Sequence, residues 1–371
     1  MTRQIWQMPR AGNLARLTLQ TANMGDLPAG SVRVAVKAIG LNFADIFACL
    51  GLYSATPTGS FIPGLEFAGE VVAVSGDVHF RPGQLAMGVT RFGAYASMLD
   101  IDQRYLWPLP SGWSLAEGAA WPVQALTAWY ALHELGAVKP GQRVLVHSAA
   151  GGVGLHALAM LRDQSCLVTA TIGNAAKKSI LLAQGLAADQ IIVREKRRFG
   201  VQLDRALAAL CPSTSAFSGS QSEQSNARLP AMPDNDGYDL ILDGIAGPFF
   251  EPAFNRLRPA GRYILFGAAN FMNTGSRVDW LKTAWRYLQR PRLDPVAMIS
   301  DNRSLMAFNL IWLWSAVDQM HSLLGAMDES GYRNRYRPLV AHSFDFQEAP
   351  AALRFFQSGQ SVGKVVLQLS V

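Results

Sequence analysis

The side chains with the clearest chemical use are small ones. Ala149-Ala150-Gly151-Gly152-Val153-Gly154 stands between an apolar run at residues 144–146 and the helically spaced Leu155, Leu158, Ala159 and Leu161. Strand, turn of small residues, helix is the opening of a dinucleotide-binding unit, with alanine at the first of the three usual glycine positions. Ala149 makes the tight turn, Gly151 lets the backbone approach a pyrophosphate, and Gly154 lets helix and strand pack closely. The helix start, at Gly152 and Val153, presents unpaired N–H groups to the anion. Small residues between a strand and a helix also serve packing alone, so the turn needs its context.

The context is a second apolar run ending at Ile172, followed by Gly173-Asn174-Ala175-Ala176-Lys177-Lys178. A site for NAD wants Asp or Glu at that strand end to bond the ribose 2′-hydroxyl. A glycine, an amide and two lysines instead suit a 2′-phosphate, which points to NADPH, with Lys177 as the phosphate ligand and Gly173 and Asn174 beside it. The alternative for Lys177 and Lys178 is a solvated helix start. Asp243 and the pair Phe266-Gly267 follow apolar runs, at the carboxyl edge where ligands of such sheets bind.

These residues need a frame to position them. Apolar runs at 144–146, 167–170, 191–193, 240–242 and 263–266 alternate with helical patterns, which predicts a doubly wound parallel sheet, an α/β Rossmann domain. Residues 1–122 read as short strands separated by turns such as Leu27-Pro28-Ala29-Gly30 and Arg81-Pro82-Gly83, a compact barrel-like β domain. A helix is expected over 125–135. The tail reads as a helix at 349–356, a Ser358-Gly359 turn and a strand at 364–367. Residues 212–237, rich in Ser, Gln, Asn, Pro and Gly without an apolar period, read as a mobile surface loop.

The chain of 371 residues is long enough for two domains with cores of their own. Its three cysteines, Cys49, Cys166 and Cys211, are scattered, and there is no C-x-x-C and no secretory leader, which points to a reducing, cytoplasmic setting. The apolar run at 305–317 is shorter than a membrane span. A net charge of +6, clustered at 194–198 and 282–292, comes with no nucleic-acid-binding module and suits an anionic cofactor. Residues 279–292 are basic, aromatic and amphipathic. They read either as a helix capping a pocket or as a peripheral contact with an anionic membrane.

Taken together, Gly40-Leu41-Asn42-Phe43-Ala44-Asp45, Gly51-Leu52-Tyr53, Ile62-Pro63-Gly64-Leu65-Glu66-Phe67-Ala68-Gly69, Leu126-Thr127-Ala128, the 146–154 turn, Leu242-Asp243-Gly244, Gly261-Arg262-Tyr263 and Val362-Gly363-Lys364 run nearly end to end. In these the chain resembles the medium-chain dehydrogenase/reductase superfamily, in its zinc-independent quinone oxidoreductase branch. Arg91-Phe92-Gly93-Ala94-Tyr95 and Phe308-Asn309-Leu310 most resemble the vesicle amine transport protein subgroup. The resemblance implies a GroES-like catalytic domain over 1–123, a Rossmann domain over 124–310 with its insertion at 212–237, and a tail, 311–371, returning to the catalytic domain. It also implies a nicotinamide in the cleft between them and a homodimer built through edge strands near 305–310.

The resemblance further implies residue roles. Zinc-dependent members ligate metal where this chain has Asn42, Leu65 with Glu66, and Val123. Two of these are hydrocarbons, and no histidine or cysteine here shows ligand spacing, so no metal is expected. Asn42 would position the ribose, the carboxamide or a substrate carbonyl. Tyr53 would donate to that carbonyl or relay a proton. Thr127 would touch the nicotinamide, Arg194 would lie on the adenine side, and Lys364 would lie near the cleft, although a strand-edge lysine is commonly just solvated. Asp45 and Glu66 would act in chemistry or brace the fold. The expected activity is NADPH-dependent reduction of a quinone or an α,β-unsaturated carbonyl. The competing expectation is an NADPH-binding interaction protein with little turnover.

Overall fold

The computed structural model describes residues 1–210, 237–272 and 274–369; of the expected mobile loop, residues 212–236 lie outside the described residues. Six parallel strands, β1 (Arg143–Val146), β2 (Leu167–Ile172), β3 (Ile191–Val193), β4 (Tyr238–Asp243), β5 (Leu257–Leu265) and β6 (Ser304–Ala307), form one sheet in the order β3-β2-β1-β4-β5-β6. The order reverses between β1 and β4, where Leu240, Ile241 and Leu242 lie opposite Val144, Leu145 and Val146. That reversal opens a crevice at the carboxyl ends of the two strands. All six of these side chains are buried, because helices cover both faces, and so the strands read as unbroken apolar runs.

Two boundaries differ from the sequence reading. β5 starts at Leu257, well before the expected 263, and runs through Arg258-Pro259-Ala260-Gly261. Ala260 does take a left-handed φ of 64°, and the ladder absorbs it as a shift in register between Tyr238 and Leu240 of β4. The helix expected over 125–135 starts earlier, at Pro122, whose missing N–H costs nothing in a first turn. It runs α-helical through Pro122–Trp129 and widens to a π-helical turn over Tyr130–Leu135.

The second sheet is mostly antiparallel. Its spatial order is Val340–Asp345, Lys364–Gln368, Ser31–Gly40, Glu66–Val74, Leu85–Val89, Leu106–Pro108, with Met98–Asp102 also paired to Ser31–Gly40. The β domain therefore takes five strands from the N-terminal part of the chain and two from its tail. Val34, Ile39, Phe67, Val71 and Leu99 share one core with Val365, Leu367 and Phe356 of the tail. The tail also touches the other sheet: Gly363 N–H donates to the Ala150 carbonyl at 2.9 Å, and Gly363 bridges to Gly151. The loop that carries the glycines is thus pinned to the strand that completes the barrel.

Between β5 and β6 the chain crosses back over the β domain. Leu14 N–H donates to Ser276 O at 2.7 Å, and the Gln357 amide donates to Gly275 O at 3.2 Å. Two short helices follow, Trp280–Leu288 and Pro295–Asp301.

Candidate active site in the interdomain cleft

The glycine turn is built as the spacing predicts. Gly151 precedes the helix Gly152–Asp163 in extended conformation. A Cβ on Gly154 would sit 2.6 Å from the Ala149 backbone, so helix and strand approach too closely for any side chain there. A Cβ on Gly152 would overlap the Gln124 amide, a buried side chain whose Oε1 has no partner. Gly151 differs: a Cβ would meet only Ser148 O at 3.3 Å, so space remains over the turn. Val153 is half-buried beside it and Ala149 is buried. A helix N-terminus behind a turn of small residues is the feature an anionic cofactor needs.

At the carboxyl ends of β2 and β3 the guanidinium of Arg194 lies over Gly173, 3.0 Å from where a Cβ would be. It donates to Thr171 Oγ1 at 2.8 Å and rests on the Phe249 ring at 5.4 Å. Burial pushes its pKa down to about 10, partly offset by Asp243. Lys177 is expected at the centre of this end, but its ammonium donates to Gly359 O at 2.6 Å and Ser361 O at 2.7 Å. It fastens the tail, and only one of its three donors remains. Asn174 Oδ1 accepts from Ala176 N–H at 2.9 Å, capping the turn below.

Three expected cofactor ligands, Asp243, Lys364 and Asn42, have their polar atoms bonded within the chain. Asp243 is fully buried. Its carboxylate accepts from Ile245 N–H at 2.6 Å, from Ala246 N–H at 3.1 Å and from Tyr263 OH at 2.7 Å. It shapes the loop after β4, in which Ala246 takes a φ of 58°, and presents nothing to a ligand. Phe266 and Gly267 follow β5 and pack on that loop, since a Cβ on Gly267 would meet Gly244 O at 2.7 Å.

Lys364, expected near the cleft, is bonded within the chain as well. It is 1 % exposed, not a solvated strand edge, and its ammonium is ion-paired with the fully buried Glu66. The same ammonium donates to Asn42 Oδ1 at 2.9 Å, while Asn42 Nδ2 donates to Glu66 Oε1 at 2.9 Å. Glu66 Oε2 accepts from Val123 N–H at 2.9 Å, at the start of the helix carrying Thr127. Both ends of the Asn42 amide are therefore taken, and Asn42 is held inward rather than offered to a substrate. Gly40 makes room for this cluster, since a Cβ there would lie 2.8 Å from Lys364 Cε. Removing one member of such a pair costs about 3–5 kcal/mol, because a charge is left buried alone.

Asp45 braces the same corner. Its carboxylate accepts from Asn42 N–H at 2.8 Å and Tyr95 OH at 3.2 Å, and burial pushes its pKa up to about 7.

Tyr53 is half-buried. It packs with Ala55, Leu65, Phe92, Val123 and Ile311 in an apolar cluster, and its hydroxyl donates to Asn309 Oδ1 at 2.8 Å. Burial pushes the phenol up to about 12, so it is a proton donor throughout the neutral range. The bond joins the loop after the helix Phe43–Cys49 to the segment that follows β6. Beside it Arg91 lies over the Trp312 ring at 5.5 Å. Asn309 and Ile311 escape the sequence reading as site residues, since nothing local to either marks a partner some 250 positions away. Thr127 lies one turn beyond Val123 and donates its hydroxyl back to Val123 O at 2.6 Å, leaving its oxygen as an acceptor. Among the described residues no group of three or more His, Cys, Asp or Glu is placed to hold a metal ion.

Comparison with known proteins gives this arrangement a setting. Residues 28–111 match the alcohol dehydrogenase GroES-like domain, and residues 222–367 match the family described as zinc-binding dehydrogenase. The synaptic vesicle membrane protein VAT-1 homolog of Danio rerio is 28% identical over 342 residues, which cover 92% of this chain and 64% of that protein. Erythronolide synthase EryA2 of Saccharopolyspora erythraea is 33% identical over 344 residues, but the match spans only 8% of it. The chain thus spans less than two thirds of the length of either relative. The quinone oxidoreductase of Thermus thermophilus, solved also in complex with NADPH, superposes with a TM-score of 0.71 at 26% identity, covering 99% of this chain and 100% of that one.

Proposed function

The chain belongs to the medium-chain dehydrogenase/reductase superfamily, and from that premise we propose that it is an NADPH-dependent reductase of quinones or of C=C bonds conjugated to a carbonyl. The observation that carries the reading is the cleft wall. Tyr53 supplies a phenol held protonated by burial within an otherwise hydrocarbon surface of Leu65, Val123, Ile311 and Phe92. Leu65 and Val123 offer no ligand atom where zinc-dependent members hold their metal, so a substrate must accept hydride on its own electronic merits.

Bound NADPH would supply the hydride, and the chain supplies placement. The N–H groups at the start of Gly152–Asp163 would receive the pyrophosphate, over the open face of Gly151. Arg194, with the remaining donor of Lys177, would hold the 2′-phosphate above Gly173 and Asn174. Thr127 would offer its oxygen to the carboxamide. Tyr53 would leave Asn309 and donate to the substrate oxygen on which negative charge develops as hydride arrives. Leu65, Val123 and Ile311 would keep water out. Asn42, Glu66 and Lys364 would hold the wall in place without touching the substrate.

The test is NADPH consumption by purified protein with an ortho-quinone, a para-quinone, an enone and an α,β-unsaturated aldehyde, with NADH run in parallel. Turnover on any of them with NADPH preferred supports the reading. Tight NADPH binding without turnover would support an interaction protein instead, and absence of binding would remove the cofactor assignment altogether.

A further inference from the structure

Three polar side chains stand in a row across the carboxyl ends of β3, β2 and β1. Arg194, which follows β3, donates from Nη1 to Thr171 Oγ1 at 2.8 Å. Thr171, in β2, has its Oγ1 3.1 Å from Nδ1 of His147, which follows β1. Thr171 and His147 are both fully buried. The protons of this row have one arrangement. A guanidinium only donates, so Thr171 Oγ1 accepts from Arg194, and its single proton is left for Nδ1. His147 is then neutral and carries its proton on Nε2, a buried atom with no hydrogen-bond partner. Burial, which pushes His147 down to about 4, keeps it neutral well below pH 7. A buried N–H without an acceptor is costly, and a hydrocarbon would fill the place without that cost. What a hydrocarbon could not do is accept the Thr171 proton. The backbone holds the same corner: Arg194 N–H donates to Ile172 O, and Ala149 N–H of the glycine turn to Thr171 O, both at 3.0 Å.

We propose that His147 and Thr171 are positioning residues that aim Arg194 at the 2′-phosphate of the cofactor, and so set the preference for NADPH over NADH. The inference rests on the cofactor reading above. A guanidinium is a planar fork, useful to a phosphate only when its free arm points the right way. Thr171 holds the Nη1 arm, and the Nη2 arm is thereby set over Gly173, 3.0 Å from where a Cβ would be. The Phe249 ring supports the fork at 5.4 Å. His147 in turn fixes the Thr171 hydroxyl with its lone pair toward Arg194 rather than its proton. Without that lone pair the guanidinium keeps its charge but turns freely on the ring. Ordering it then weakens binding of the phosphate and of nothing else on the cofactor. A row that served packing alone would act on both cofactors alike.

The experiment is titration of the full chain with NADPH and with NADH, repeated on Thr171→Val, Thr171→Ser, His147→Leu, His147→Asn and Arg194→Ala. Valine keeps the shape of threonine without the acceptor, and serine keeps the acceptor. Leucine removes the acceptor of the imidazole, and asparagine puts an amide oxygen close to the place of Nδ1. Thr171→Val and His147→Leu should each raise the Kd for NADPH by about three- to ten-fold and leave that for NADH unchanged. Thr171→Ser and His147→Asn should stay within about two-fold of the native chain for both cofactors. In an Arg194→Ala background Thr171→Val should add nothing, because its effect runs through the guanidinium. Equal losses for the two cofactors, no loss with Thr171→Val, or additive losses in the double variant would overturn the inference. If Arg194→Ala were selective for NADPH and Thr171→Val were not, the positioning role alone would fall. If Arg194→Ala itself weakened both cofactors alike, the phosphate reading would fall and the inference with it. A variant that lost its circular dichroism would be replaced by Thr171→Ala, read in the same way.

Discussion

Tyr53 and Arg194 are the residues on which the proposed activity turns. Tyr53→Phe keeps the packing against Leu65 and Ile311 and removes only the donor now bonded to Asn309. It should lower kcat by about 10²-fold while leaving the cofactor Kd unchanged; steady-state rates beside a binding titration check this. Since burial holds the phenol near 12, no loss of rate across neutral pH should trace to it. Arg194→Ala should raise the Kd for NADPH by about ten-fold or more and leave NADH almost unaffected, because only the former carries the 2′-phosphate. Lys177→Ala should act in the same direction but less, as two of its donors already serve Gly359 and Ser361. Titration of both cofactors against the two variants measures this, and equal losses for NADPH and NADH would remove the phosphate assignment.

The glycine turn separates packing from binding within one element. Gly154 faces the Ala149 backbone at a distance no Cβ tolerates, whereas at Gly151 a Cβ would meet one atom, Ser148 O, at 3.3 Å. Gly154→Ala should therefore cost about 1–3 kcal/mol of stability, seen as a lower Tm. Gly151→Ala should lower Tm by less than Gly154→Ala does and weaken NADPH binding, because its methyl fills the place meant for the pyrophosphate. If both variants lost only stability, the turn would be a packing device. The element's type is legible from spacing alone. That Gly152 abuts Gln124, and that Gly151 is bridged to Gly363, is not, because both partners come from distant segments.

Across the whole molecule, buried titratable groups set how stability follows pH. His147 and His156 are buried and held neutral, with burial pushing them down to about 4 and about 3 from 6.5. Below pH 6.5 the unfolded chain takes up protons that the fold refuses, so their contribution is present above 6.5 and is lost as pH falls toward 4. Asp45 works in the opposite sense. Its pKa is raised from 3.8 to about 7, so the fold keeps a proton that the unfolded chain releases, and stability falls as pH rises between those values. Asp45→Asn removes that slope. Relative to the native chain it should gain on the order of 2 kcal/mol between pH 5 and pH 7, measured by denaturant unfolding at both.

The plan of two sheets and the type of the organising turn follow from residue order alone. Unbroken apolar runs specify strands covered on both sides, and small residues between strand and helix specify a close backbone approach. Most of the residues that gather at the cleft are also legible in that order. What they are free to do is set by the fold. Asn42, Asp243 and Lys364 look equally available as a string of letters, but each has its polar atoms committed to partners brought in from elsewhere: Glu66 and Lys364, Tyr263 and the 245–246 N–H groups, and Glu66 again. The amphipathic pattern of Trp280–Leu288 is likewise plain in the chain, yet the Arg286 anchor on Asn270 and Met272 fixes which face points outward. A hydrogen bond between residues hundreds of positions apart leaves no local signature, and whether a polar group is spent or available depends on such bonds.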